Sequence, residues 1–356
     1  MSEPTPSPPK PPGLSPPEKS RSPWQLFYAG VHSLRARWWR RRAKKLPRPV
    51  ISIGNLHWGG AGKTPATIAV AAELHGRGYS VAVLSRGYGS QGGGVRIVSR
   101  GDGPLLGPKI AGDEPVLLAG QLPGVAVVVC PDRYRAGMAA LDRLDRPPDL
   151  FLLDDGFSHL QLHRDLDLLV FPAADPFAGG KLAPGGRLRE PLTASRRAQA
   201  ALLTGEAPEG GDLPAMAQQL ARALRPFGFA GPAFAAPTVA GKPLPDLARP
   251  GAKALVVSGI ARPEAFLHTV KKQGIEVADV LSYPDHFRYP DAAIAELSAH
   301  FAKSGADFLL VTSKDMVKLR GRIEAPLAEL PIACRPEDAF FTWLETRLAE
   351  LRPPRG

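Results

Sequence analysis

The stretch Val50-Ile51-Ser52-Ile53-Gly54-Asn55-Leu56-His57-Trp58-Gly59-Gly60-Ala61-Gly62-Lys63-Thr64-Pro65 decides how this chain is read. A β-branched apolar run passes into closely spaced glycines, then Lys-Thr, then an Ala-rich segment: strand, loop, helix. Backbone N–H groups wrap an anion closely only where no Cβ intervenes, and the helix that follows turns its positive end to the same place. His57, Trp58, Gly59, Gly60, Ala61, Gly62, Lys63 and Thr64 are therefore predicted to hold a nucleotide, with Lys63 on the β- and γ-phosphates and the Thr64 hydroxyl on Mg²⁺. The strict pattern G-x-x-x-x-G-K-[ST] would put its first glycine at position 57, where this chain has His57. A dinucleotide fingerprint fits less well, because Gly60-Ala61-Gly62 runs into Lys63-Thr64-Pro65 without a third glycine.

Outward from that loop, 356 residues suffice for two domains of ordinary size. The net charge is +11, but the first 50 residues carry +9 of it, so the body is nearly neutral and no nucleic-acid groove is expected. Cys130 and Cys334 show no metal spacing, which fits a reducing compartment. Residues 1–23 form a Pro-rich tail predicted to be disordered. Trp24, Phe27, Tyr28, Val31, Leu34 and Trp38 then recur at three- and four-residue spacing, with Arg35, Arg37, Arg40, Arg41, Arg42, Lys44 and Lys45 crowding the far half. This pattern predicts a basic amphipathic helix over 24–48, lying in a membrane interface rather than spanning it.

Downstream, strands and helices alternate as in a mostly parallel sheet. A strand over 79–84 ends at Ser85-Arg86-Gly87-Tyr88-Gly89, and Gly112-Asp113-Glu114-Pro115 opens a short helix. The strand over 150–153 ends in Asp154-Asp155-Gly156-Phe157. Carboxylates at the end of an apolar strand downstream of a phosphate loop have the form of a metal-holding motif, so Asp154 and Asp155 are candidate Mg²⁺ ligands. After residue 225, extended segments lead to a second α/β unit, with Tyr283-Pro284-Asp285-His286-Phe287 as an irregular loop and a last helix over 338–351. No internal repeat is evident.

A phosphate loop alone does not separate kinase, switch and motor. A guanine-reading [NT]-K-x-D is absent, since Thr312-Ser313-Lys314-Asp315 lacks the spacer. The membrane-associated partitioning ATPases share Gly59 to Thr64, but Trp58 stands where their signature lysine belongs; a regulatory ATPase of that type is the alternative reading. Transfer to an alcohol requires a group to take the hydroxyl proton, and Asp113-Glu114 and His286 can supply it if the two units face each other.

Val50 to Pro65, Ser85 to Gly89, Gly112 to Pro115, Asp154 to Phe157, Leu188 to Glu190, Asp285-His286-Phe287 and Thr312 to Leu319, in that order, resemble the tetraacyldisaccharide 4′-kinase family, the membrane-bound lipid A kinases. The resemblance implies ATP-dependent phosphorylation of the 4′-hydroxyl of tetraacyldisaccharide 1-phosphate to lipid IVA, at the cytoplasmic face of the bacterial inner membrane. It implies ATP and Mg²⁺ as cofactors, a lipid substrate, an anionic membrane surface as partner and no obligate protein partner. In its light Asp113 looks like the catalytic base, assisted by His286. Lys63 would stabilise the transferring phosphate, and Thr64, Glu114 and Asp154 or Asp155 would organise the metal. Arg86, Arg133 and Arg189 would contact substrate or phosphate.

The expected fold is α/β. A P-loop NTPase-like α/β/α domain covers 49–225. Linker strands and a smaller α/β domain cover 226–356, the last helix packing back on the first domain, and the family implies a small two-stranded linker between the two. Ser158 stands where the family has Gln, and Ser313 where it has Glu.

Overall fold

The computed structural model describes residues 23–91, 93–243 and 251–351, together with Leu14 and Leu247; the Pro-rich tail predicted for 1–23 lies, apart from Leu14 and Pro23, outside the described residues. Helix α1 (Pro23–Arg40) leads into β1 (Val50–Gly54), the loop of interest and α2 (Lys63–Gly76). There follow β2 (Val81–Ser85), β3 (Arg96–Ser99), α3 (Pro108–Ala111), α4 (Asp113–Gln121), β4 (Ala126–Val129), α5 (Arg133–Arg143), β5 (Leu150–Asp154), β6 (Leu166–Pro172) and β7 (Ala200–Gly205). Helix α6 (Leu213–Leu224) and β8 (Ala233–Ala240) complete this half.

These strands make one nine-stranded sheet in the order β13-β8-β7-β6-β1-β5-β2-β4-β3, where β13 (Ile332–Cys334) returns from the end of the chain. The six pairings from β8 to β4 are parallel, and β3 and β13 pair antiparallel at the two edges. Strands β1, β2, β4, β5 and β6 are buried at every residue, as parallel strands covered on both faces must be. Strand β1 is flanked by β5 and β6, and Ile53 lies in register with Asp154. The loop after β1 and the carboxylates after β5 thus share one crevice at the strands' carboxyl ends, where open α/β sheets bind ligands.

The second sheet is four-stranded, parallel, and ordered β10-β9-β11-β12. It is built from β9 (Lys253–Ser258), α7 (Pro263–Lys272), β10 (Glu276–Ser282), α8 (Asp291–Ser304), β11 (Phe308–Thr312), α9 (Ser313–Leu319) and β12 (Leu327–Leu330). Helix α10 (Asp338–Leu351) then buries Phe340, Phe341, Leu344 and Leu348 in the core of the large sheet, beside Val70 and Leu74 of α2.

Two expectations are corrected, and one edge strand is added. The helix predicted over 24–48 stops at Arg40, because Lys44 pairs with Leu162 as an isolated bridge and Pro47 and Pro49 cannot continue a helix. The large sheet does not end at residue 225. Ala233 to Pro237 of β8 pair with β7, and Thr238 to Ala240 pair antiparallel with β13, a two-stranded ribbon that continues from the large sheet's edge. The glycine-rich connection after Gly89 is followed by an edge strand, β3, that the sequence reading did not contain.

Candidate active site

Two glycines explain the shape of the phosphate loop. Gly62 caps α2 in the left-handed region at φ 79°, and a Cβ there would sit 3.1 Å from the Thr204 hydroxyl, which donates to the Ala61 carbonyl at 2.8 Å. At Gly54 a Cβ would meet Phe157 Cβ at 2.5 Å, so the end of β1 packs directly on the turn that carries Asp155. Gly59 and Gly60 are exposed, Ala61 is buried, and Thr64 is half-buried on the first turn of α2.

Of the predicted nucleotide contacts, His57 departs from expectation. Its imidazole is buried, with Nδ1 3.5 Å from Asn55 Nδ2 and 3.3 Å from the Trp58 carbonyl. Burial holds it neutral, with its pKa lowered to about 4. The His57 side chain therefore lies under the loop and is not exposed on it. Trp58 is 57% exposed, and the Arg189 guanidinium lies over its ring at 5.4 Å.

Lys63 Nζ donates to Asn55 Oδ1 at 3.3 Å and lies 3.8 Å from Asp155. Asp155 occupies the left-handed region at φ 50° and accepts two hydrogen bonds from Arg189, at 3.0 and 3.2 Å. Burial works against its ionisation, but Lys63 and Arg189 hold its pKa down to about 2. Asp154 is the opposite case. Burial pushes it well above the carboxylate range, with Glu114 and Asp155 adding repulsion, while the Thr67 hydroxyl donates to it at 3.1 Å.

The second sheet brings its carboxyl ends to the same crevice. His286, in the loop after β10, has φ 60°, and its Nδ1 lies 3.1 Å from Asp113 Oδ2 at the first turn of α4. That hydrogen bond raises the imidazole pKa against the effect of burial. Burial raises the Asp113 carboxyl, but His286, Lys314 and Lys318 outweigh it and bring the pKa to about 2. Helix α9 supplies both lysines, one turn apart. Lys314 Nζ lies 2.8 Å from Glu114 and 3.4 Å from His286 Nε2; Lys318 Nζ lies 3.9 Å from Asp113 and 2.9 Å from Asp315. Asp315 is fully buried and fixes this corner, accepting from the Gly259 N–H at 2.9 Å, the Thr312 hydroxyl at 2.7 Å and the Tyr289 hydroxyl at 3.1 Å. Arg288 closes the contact by donating to the Gly89 carbonyl at 3.1 Å.

Among the arginines, Arg189 sits inside the site and Arg86 is exposed at its rim. Arg133 is buried, donates to the Pro131 carbonyl at 3.0 Å and leaves its Nε without a partner. Burial, then Arg86, lowers its pKa to about 10. Sequence reasoning missed Thr67, and it gave no individual role to Lys318 or Glu190, which lie inside stretches that carry the family resemblance. Buried Glu190 accepts from Ser158 at 2.6 Å and from Arg197 at 2.6 Å, so the serine that replaces the family's glutamine is hydrogen-bonded in place.

For a metal, the donors at hand are oxygens: Thr64, Glu114, Asp154 and Asp155. A buried carboxyl crowded by two others fits a hard divalent cation such as Mg²⁺. No group of three or more His, Cys, Asp or Glu among the described residues is close enough to hold a metal alone.

The family model for tetraacyldisaccharide-1-P 4′-kinase matches residues 21–349. The chain belongs to the tetraacyldisaccharide 4′-kinase family. It is 42% identical over 326 residues to the tetraacyldisaccharide 4′-kinase of Pelobacter propionicus, covering 88% of this chain and 86% of that one. It is 43% identical over 279 residues to that of Geobacter metallireducens, covering 78% and 80%. Among solved structures it resembles LpxK from Aquifex aeolicus, crystallised in complex with ATP, with a TM-score of 0.70 and 30% identity over 92% of this chain and 97% of that one. Family membership leaves the partitioning-ATPase alternative without support.

Proposed function

We propose that this chain transfers the γ-phosphate of ATP to the 4′-hydroxyl of tetraacyldisaccharide 1-phosphate, giving lipid IVA and ADP at the cytoplasmic face of the inner membrane. The observation that carries the reading is the Asp113–His286 contact at 3.1 Å, which joins the phosphate-loop sheet to the second sheet across one crevice. An ionised carboxylate oriented by an imidazole can accept the hydroxyl proton once that proton grows acidic as the oxygen bonds to phosphorus. Asp113 accepts the acceptor's proton as its oxygen bonds to the γ-phosphorus and the bond to the β-phosphate oxygen breaks. His286 orients Asp113. Lys63 stabilises charge on the transferring group, and Arg189 keeps Asp155 ionised beside it. Thr64, with one or two of Glu114, Asp154 and Asp155, would hold Mg²⁺, which when bound offsets phosphate charge.

Helix α1 supports a peripheral placement on the membrane. Trp24, Leu26, Phe27, Val31, Leu34 and Trp38 are six of the eleven large apolar side chains exposed among the described residues. No described helix is long and apolar enough to cross a membrane. A stripe of this kind beside a run of arginines lies in the interface with its cations on anionic headgroups. An Asp113→Ala variant tests the assignment. It should lose lipid phosphorylation by 10²- to 10⁴-fold, on the order expected for removing a general base, while still binding ATP. Transfer at the parent rate would remove Asp113 from the role.

A further inference from the structure

The segment from Arg187 to Glu190 touches two things that the proposed function keeps apart. On one side it is bonded to the main chain of the phosphate loop. The Trp58 N–H donates to the Arg187 carbonyl at 2.8 Å, the N–H groups of Arg189 and Glu190 donate to the Leu56 carbonyl at 2.7 and 3.1 Å, and His57 pairs with Leu188 as an antiparallel bridge. Its Arg189 side chain also holds Asp155, which in turn lies beside Lys63.

On the other side it carries α1. Tyr28 donates its hydroxyl to the Arg189 carbonyl at 3.3 Å, and His32 Nε2 lies 3.5 Å from Glu190 Oε2. Tyr28 and Ala29 pack on a core cluster that contains Leu56, Phe157 and Leu188. The sequence pattern grouped Tyr28 with the outward apolar stripe. The structure turns it inward and leaves Trp24, Phe27, Val31, Leu34 and Trp38 exposed.

We infer that residues 187–190 form a strap through which the seating of α1 on a lipid surface and the nucleotide-ready form of the phosphate loop are reciprocally coupled, with Tyr28 as a positioning residue. The strap rests on the contacts above; its use by the membrane rests on the placement of α1 proposed above. A helix held by a lipid surface keeps Tyr28 on the Arg189 carbonyl, which keeps Leu56 to Trp58 and the Arg189–Asp155–Lys63 chain in register. By linkage, lipid then tightens nucleotide binding, and nucleotide tightens lipid binding by the same factor.

The test uses the full chain, a non-hydrolysable ATP analogue with Mg²⁺, and vesicles of phosphatidylcholine and phosphatidylglycerol. For the parent, vesicles should tighten analogue binding by about five- to tenfold, the lower range of ordinary coupling. Tyr28→Phe, which removes only the donor and keeps the outward stripe, should still bind vesicles and lose most of that gain. Its KM for ATP should rise with the lipid KM and the melting temperature unchanged. Leu34→Ser should bind vesicles more weakly and bind the analogue without vesicles as the parent does. Vesicle binding by the parent with no change in analogue affinity would overturn the coupling and leave the membrane placement intact. An equal gain in Tyr28→Phe and parent would remove Tyr28 and the strap from the account. A parent that ignores the vesicles would overturn the placement and, with it, the coupling.

Discussion

Replacing Asp113 by Asn tests the electrostatics of the crevice quantitatively. Three carboxyls, Asp113, Glu114 and Asp154, converge there, and removing one could relieve repulsion or waste attraction. At Asp113 the cations win, since His286, Lys314 and Lys318 bring its carboxyl from 3.8 to about 2 in spite of burial. A carboxyl depressed that far contributes about 2 kcal/mol of native-state stability at neutral pH. The contribution is complete above the unfolded value of 3.8 and is lost as pH falls through about 2. His286 moves the other way: its raised pKa contributes stability that is complete below 6.5 and is lost as pH rises through the native value. Asp113→Asn removes both, so the penalty should be largest between pH 4 and 6.5, at about 2 kcal/mol or somewhat more, and should shrink as pH rises above 6.5 through the raised native value of His286. Urea unfolding across that pH range measures it. A variant as stable as the parent at pH 5.5, or a penalty that grows toward pH 9, would refute the reasoning.

Other consequences can be measured in the same way. Asp315→Ala strands the buried Lys318 ammonium and three hydrogen-bond donors, so it should destabilise by about 3–5 kcal/mol in thermal or urea unfolding. Thr67→Val takes the only described donor from the buried Asp154 carboxylate. A loss of about 1–3 kcal/mol is expected, together with a higher Mg²⁺ requirement in phosphoryl transfer. Replacing Arg35, Arg37 and Arg41 of the basic segment with Gln should weaken partition to anionic vesicles by about 1 kcal/mol per charge, with little effect on neutral vesicles. Sedimentation with lipid reads the difference.

The phosphate loop was legible because its chemistry is local. A strand, glycines with positive φ and Lys-Thr lie within sixteen consecutive residues, and the β5 carboxylates announce themselves at a strand end. Asp113 and His286 were paired only through the family resemblance, since 173 residues separate them and no local pattern shows that the packing of the two sheets makes them neighbours. Lys318 was hidden for the same reason. One turn beyond Lys314 it is buried, 2.9 Å from Asp315 and 3.9 Å from Asp113, a placement no local pattern announces. Thr67 was overlooked because its importance comes from the register that sets α2 over β5. The edge strands β3 and β13 are four and three residues long, and their pairing depends on neighbours that no local pattern names. In α1 the three- and four-residue spacing gave the helix but not its orientation, since Tyr28 turns inward only because the Arg189 carbonyl awaits its hydroxyl.

The most direct measurement is transfer of labelled γ-phosphate from ATP to tetraacyldisaccharide 1-phosphate in detergent micelles, with Lys63→Ala alongside the parent. The account predicts labelled lipid IVA with the parent and its loss in the variant. Hydrolysis of Mg-ATP by the parent without labelled lipid, or lipid product that survives in Lys63→Ala, would contradict it.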